Sequence, residues 1–154
     1  MLMLRLCVDS FGEYPPVERY AEGRISMLPN QIEVITLFVN DIVGSKDFYR
    51  RIFSADIVFE DEVSAVIDLS GTMVNLLAVE EAPALVEPAG IASAKAGASM
   101  LLTVRVDDVD AVCNELAKAG VALLNGPIDR PWGRRTAAFA DPSGHIWEVA
   151  QVIA

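Results

Sequence analysis

Apolar and polar positions alternate along this chain in a pattern that occurs twice. VITLFVNDI, beginning at Val34, and LLTVRVDDV, beginning at Leu101, lie 67 residues apart. At that spacing Thr36 meets Thr103, Val39 meets Val106 and Asp41 meets Asp108, while Val34, Ile35, Leu37 and Ile42 all meet apolar residues. Each run is an apolar β-rich stretch closed by an aspartate able to cap a helix, so the chain reads as an internal repeat of strand followed by helix.

Behind each aspartate the apolar spacing changes to that of a helix. Ser45, Phe48, Tyr49 and Ile52 recur at helical spacing in the first copy, and Val109, Val112, Cys113 and Leu116 in the second. Arg50 and Arg51 suit the negative end of the first helix, and Ala119-Gly120 supplies the glycine that stops the second. After the first helix DIVFE, VSAVIDL and TMVNLLAV read as three short strands, and after the second VALLN, RTAAFA and HIWEVAQ do the same. Asp141-Pro142-Ser143-Gly144 is a hairpin signal, with proline fixing φ and glycine supplying a positive φ.

The predicted fold is α+β: two tandem β-α-β-β-β modules, over residues 32–80 and 100–152, joined by an Ala-, Pro- and Gly-rich linker at 81–99. Residues 1–31 fall outside both copies and read as an edge strand around Leu4 to Val8, a mobile arm, or an extension upstream of a start at Met27. A chain of 154 residues buries one core and is too short for two ordinary domains.

Composition narrows the partners. The longest uncharged stretch, Leu69 to Val79, falls well short of the roughly 20 apolar residues a membrane helix requires. No signal-peptide pattern opens the chain, so a cytoplasmic location is expected. Cys7 and Cys113 stand alone, outside any disulfide or zinc spacing. A formal net charge of -10, with no basic stripe, argues against nucleic acid. The same charge keeps the surface soluble and would also steer cationic ligands.

FVNDIVGSKDFYRRIF resembles the opening of modules of the vicinal-oxygen-chelate superfamily, the glyoxalases, bleomycin-resistance proteins and extradiol dioxygenases. RPWGRRTAAFADPSGHIWEVAQ resembles their closing hairpin, and the DPSGH-x-x-E pattern is the most specific part of a likeness covering about Ile32 to Val152. The resemblance implies curved sheets around a cleft with helices outside. It also implies a homodimer, because such sheets expose edges and apolar rims that a second subunit covers.

In metal-dependent members the ligands are two His and one or two Glu, from the first and last strand of each module. Carried onto this chain, those positions are Val34, Asn75, Leu101 and Glu148, and only Glu148 matches. Two aliphatic side chains offer a transition metal no donor, so no metal and no other cofactor is expected. The single histidine, His145, lies next to Gly144 and away from the matched positions. It is expected as a turn residue with its ring in solvent, the alternative being a ligand or proton shuttle.

With Glu148 in the cleft, strand alternation also sends Ile146, Ala150, Val34, Thr36, Phe38, Leu101, Thr103 and Arg105 there, and Met73 and Leu77 with Asn75. Trp147 and Val149 point to the helices. The ligand-contacting set predicted from this is Phe38, Asn75, Leu101, Thr103, Arg105, Trp132 and Glu148. Glu148 is read as paired with Arg105 or Arg135, as a ligand contact, or as a base with a raised pKa. Trp132 is read as an aromatic wall or a loop anchor. Three function classes follow: a metal-free binding protein close in character to bleomycin-resistance proteins, an enzyme using Glu148 as base, or a metal-dependent lyase, epimerase or dioxygenase.

Overall fold

Each half of the chain begins with a strand that runs into a capped helix. The computed structural model describes residues 32–153, and the three readings of residues 1–31 lie outside the described residues. β1 (Val34–Val39) leads into α1 (Ile42–Phe53), where the Asp41 carboxylate accepts from the N–H groups of Val43 and Gly44 at 3.1 and 3.0 Å. Two of the four N–H groups that a helix start leaves unpaired are thereby satisfied. β2 (Asp56–Glu60), β3 (Ser64–Leu69) and β4 (Thr72–Ala78) complete the first module. The linker carries a single helical turn, α2 (Pro83–Val86), between two 3-10 turns.

β5 (Leu101–Arg105) then repeats the pattern and feeds α3 (Val109–Lys118), whose first turn Asp108 caps by accepting from Ala111 N–H at 2.9 Å. Gly120, with φ 77°, follows the end of that helix as the sequence requires. β6 (Leu123–Arg130), β7 (Arg134–Ala140) and β8 (Ile146–Val152) follow. β6 differs from the expected VALLN: it starts two residues later and runs on to Arg130. The extension crosses Gly126-Pro127, where proline has no N–H to give, and the register shift against β7 between Asn125 and Ile128 absorbs the interruption.

The strands form two four-stranded mixed sheets, ordered β1-β4-β3-β2 and β5-β8-β7-β6. In each, the first strand runs parallel to the last and the remaining pairs are antiparallel. This is the predicted tandem β-α-β-β-β arrangement, and the 67-residue repeat is visible in the pairing. Thr36 lies beside Asn75 in one sheet and Thr103 beside Glu148 in the other.

Alternation gives every sheet one face toward a helix and one open face. Leu37, Val39, Ile67, Val74 and Leu76 of the first sheet share one buried cluster with Ala137, Phe139, Trp147 and Val149 of the second. Phe48 and Tyr49 of α1 and Val109, Cys113 and Leu116 of α3 belong to the same cluster. α1 supplies aromatic rings to both sheets: Phe53 lies 4.6 Å and Tyr49 5.9 Å, centroid to centroid, from Trp147, and Phe48 lies 6.5 Å from Phe139. The modules of one chain thus meet through their helix-bearing faces. The helices lie outside each open face, and the open faces turn away from the shared core.

Candidate functional site

The central residues of the two open faces occupy equivalent places. On the second sheet Glu148 accepts a hydrogen bond from the Thr103 hydroxyl at 3.1 Å, with Leu101 and Ile146 paired one same-face step away. On the first, Asn75 sits between Thr36 and Val66, with Val34 and Met73 one step away. The side-chain oxygen of Asn75 is buried and has no hydrogen-bond partner among the described residues. A buried acceptor left unpaired costs free energy, about 1 to 3 kcal/mol, until a donor reaches it.

The expected ion pair of Glu148 does not form. Arg105 takes part in no ion pair among the described residues. Arg135 is engaged elsewhere, with Nε and Nη2 on the two carboxylate oxygens of Asp110 at 2.8 and 2.9 Å and Nη1 on Asp129 at 2.6 Å. The hydrogen bond from Arg135 holds the Asp110 carboxyl below its ordinary range. The physical reason is competition: a fork matched to two nearby carboxylates has no free edge for a third.

The predicted contact residues divide between the faces. Phe38 and Asn75 belong to the first sheet, while Leu101, Thr103, Arg105 and Glu148 belong to the second. Among the described residues no hydrogen bond, ion pair or ring contact connects the two open faces. Trp132 occupies the turn between β6 and β7, is 68% exposed, and lies 6.0 Å from the Arg130 guanidinium, so it anchors nothing in the core. Among the described residues no three His, Cys, Asp or Glu side chains converge as a metal-holding group. Val34, Asn75, Leu101 and Glu148 together offer one carboxylate and one amide oxygen, a set that does not fit a divalent transition metal.

His145 is not the solvent-facing turn residue expected. Its ring Nδ1 lies 2.8 Å from the fully buried Asp141 carboxylate, which also accepts from the Tyr49 hydroxyl at 2.8 Å and from the N–H groups of Ser143 and His145, both at 2.9 Å. Tyr49 in turn accepts from Trp147 Nε1 at 3.1 Å. Burial alone would raise the Asp141 pKa; the hydrogen bond and charge of His145, its backbone N–H and the Tyr49 hydroxyl together bring it below the usual carboxylate value. Burial, then the Asp141 charge, pushes the Tyr49 hydroxyl far up, so it stays protonated and donates. Sequence reasoning found Tyr49 and Trp147 as helix-side residues and missed that Asp141 joins them. The signal was present in the DPSGH turn, whose Gly144 adopts φ 92° while its N–H closes onto the Asp141 carbonyl at 3.0 Å.

A family model described as Glyoxalase/Bleomycin resistance protein/Dioxygenase superfamily matches residues 31–149. Among solved structures, a glyoxalase-related enzyme from Fulvimarina pelagi is 29% identical, with TM-score 0.70, over 80% of this chain and 88% of that one. TnmS3, an antibiotic binding protein from Streptomyces sp. CB03234, is 26% identical, with TM-score 0.62, over 82% of this chain and 99% of that one. A glyoxalase/bleomycin resistance protein/dioxygenase from Nocardioides, 19% identical with TM-score 0.73 over 84% and 87%, shares the fold. With most of its length matched by the family model, the chain belongs to the glyoxalase/bleomycin resistance protein/dioxygenase superfamily.

Proposed function

We propose that this is a metal-free small-molecule-binding protein whose cleft is completed by a second copy of the chain. The observation that carries this is the pair of open faces, each with one central acceptor, Glu148 or Asn75, set among apolar side chains such as Leu101, Val34 and Phe38. Brought together from two subunits, such faces form an apolar cleft with a few convergent polar groups, the usual composition of a ligand site. A ligand bearing hydrogen-bond donors, and best a positive charge, answers both acceptors. The likeness to an antibiotic binding protein supports the same reading. No helix among the described residues is long and apolar enough to cross a membrane.

A homodimer is part of this proposal. Leu101 is 50% and Val34 38% exposed at the site positions, and Leu124 and Val152 exceed half. A partner that covers these positions also closes the cleft. Light scattering at micromolar concentration is expected to return twice the chain mass, and a monomer would count against a shared cleft.

Glu148→Gln separates the readings, because it preserves shape and removes charge. For a cationic compound found by thermal shift, its affinity is expected to fall by about 1.5 to 3 kcal/mol, the range of a hydrogen bond to a charged group. The melting temperature of the unliganded protein should change little, since the described partner of Glu148 is the neutral Thr103 hydroxyl. Stoichiometric zinc, nickel, manganese or iron in the purified protein, lost in this variant, would overturn the metal-free proposal.

A further inference from the structure

The two helix-bearing faces do not fill all the space between them. A cavity of about 680 Å³ remains beside the end of α1. Ile35 and Val74 wall it from the first sheet, Leu102 and Val104 from β5, and Phe53 and Trp147 border it with their rings. The space is half open to solvent, and organic ligand sites occupy about 300 to 1,000 Å³. Leu102, Val104 and Trp147 reach this space from the helix side of the second sheet, Thr103 and Arg105 border it along the edge strand β5, and neither Glu148 nor Asn75 lines it.

We infer that this inter-sheet cavity is a second binding site, for a planar aromatic molecule carrying a positive charge. Opposed aliphatic walls from two sheets make a slot, and the rings of Phe53 and Trp147 offer an aromatic guest stacked or edge-on contact. Charge selection comes from Asp56 and Asp68, direct cross-strand partners at the ends of β2 and β3, which border the cavity beside Ser70 and Thr72 although alternation sets them on the Met73 side of the first sheet. Like charges so placed destabilise a strand pair, and neither carboxylate has a cationic partner among the described residues. Arg105 also borders the space, which leaves one negative charge in excess to meet a monocation. This site shares Thr103 and Arg105 with the cleft proposed above but contains neither of its central acceptors, Glu148 and Asn75.

Trp147 allows a direct test. In a Trp132→Phe background it is the only tryptophan, so quenching of its fluorescence reports on this wall. Titration with berberine, a planar aromatic monocation, is expected to give saturable quenching with one site per chain. Val104→Phe, which fills the slot, should weaken it by about tenfold or more, equivalent to at least about 1.4 kcal/mol. Thr72→Phe, at an exposed position bordering the cavity, checks the same occlusion without disturbing the core. Both Asp56→Asn with Asp68→Asn in one chain, and replacement of berberine by the anion 1-anilinonaphthalene-8-sulfonate, should weaken binding. Glu148→Gln should leave the quenching unchanged. Absence of saturable quenching, or quenching that survives both Val104→Phe and Thr72→Phe, overturns the inference. Loss in Glu148→Gln with retention in those two variants would place berberine in the other cleft, overturning this site and leaving the proposed function standing.

Discussion

Asp141→Ala is expected to cost about 3 to 5 kcal/mol of folding stability, as removal of one partner of a buried charged network does. Four donors converge on this carboxylate, and they come from both modules: Tyr49 from α1, and Ser143, His145 and the His145 ring from the closing turn. Alanine leaves the Tyr49 hydroxyl without its acceptor in a buried site, and Tyr49 still has to hold the Trp147 N–H. The loss should depend on pH. The folded Asp141 pKa is depressed, so the unfolded chain binds the proton more readily. Its stabilisation is therefore fully present above the unfolded carboxylate pKa and disappears as pH falls through the lower folded value. Denaturant unfolding of the two proteins should differ most at neutral pH, and the gap should narrow in acid. An equal gap at every pH would show that shape, and not charge, is what Asp141 contributes.

The same residue shows what was legible in the sequence and what was not. Periodicity and caps are local, and they predicted α1, α3 and most strands, because Asp41, Asp108 and Gly120 act on their own immediate backbone. The resemblance supplied the curved sheets around a cleft, and not the order of strands within each sheet. Site residues were legible only as to face: alternation correctly sent Trp147 and Val149 to the helices and Glu148 away from them. Partners were not legible, since Arg135 chooses between Glu148 and the pair Asp110 and Asp129 by distances that no local pattern encodes. Nor was the way the modules meet. That depends on α1 presenting Phe48, Tyr49 and Phe53 to a sheet about 90 residues further along the chain, a separation on the scale of the 92 residues between Tyr49 and Asp141.

The joint explains why the most specific sequence motif need not be chemical. DPSGH-x-x-E combines Asp141 and His145, which fasten the modules, with Glu148, which faces the other way. A turn that sets the position of α1 against β8 also fixes where β5 and β8 lie relative to β1 and β4. Any ligand site on either side of the second sheet therefore inherits its geometry from this clamp. Function then follows from the residues placed on each face, and on the open faces those residues are acceptors among apolar neighbours.

Phe48→Ala is expected to cost about 3 to 5 kcal/mol, the range for deleting a large buried aromatic side chain. Phe48 is 5% exposed, and its ring meets Tyr49 edge-on at 5.4 Å and lies 6.3 and 6.5 Å from Phe53 and Phe139. It therefore packs within its own module and against β7 of the other. Leu116, 4% exposed on α3, should cost about 2 to 5 kcal/mol as alanine. In guanidinium unfolding both variants should shift the midpoint with little change in slope, as expected when burial is lost and the native fold is kept. The two sites differ in their coupling to Asp141. Phe48 neighbours Tyr49, whose hydroxyl reaches Asp141, so the costs of Phe48→Ala and Asp141→Ala should fail to add, by about 0.5 kcal/mol or more. Leu116→Ala paired with Asp141→Ala should come closer to additive. Additivity in the first pair would mean that α1 does not transmit the clamp, and a near-neutral Phe48→Ala would mean that the helix presents a different face to the core.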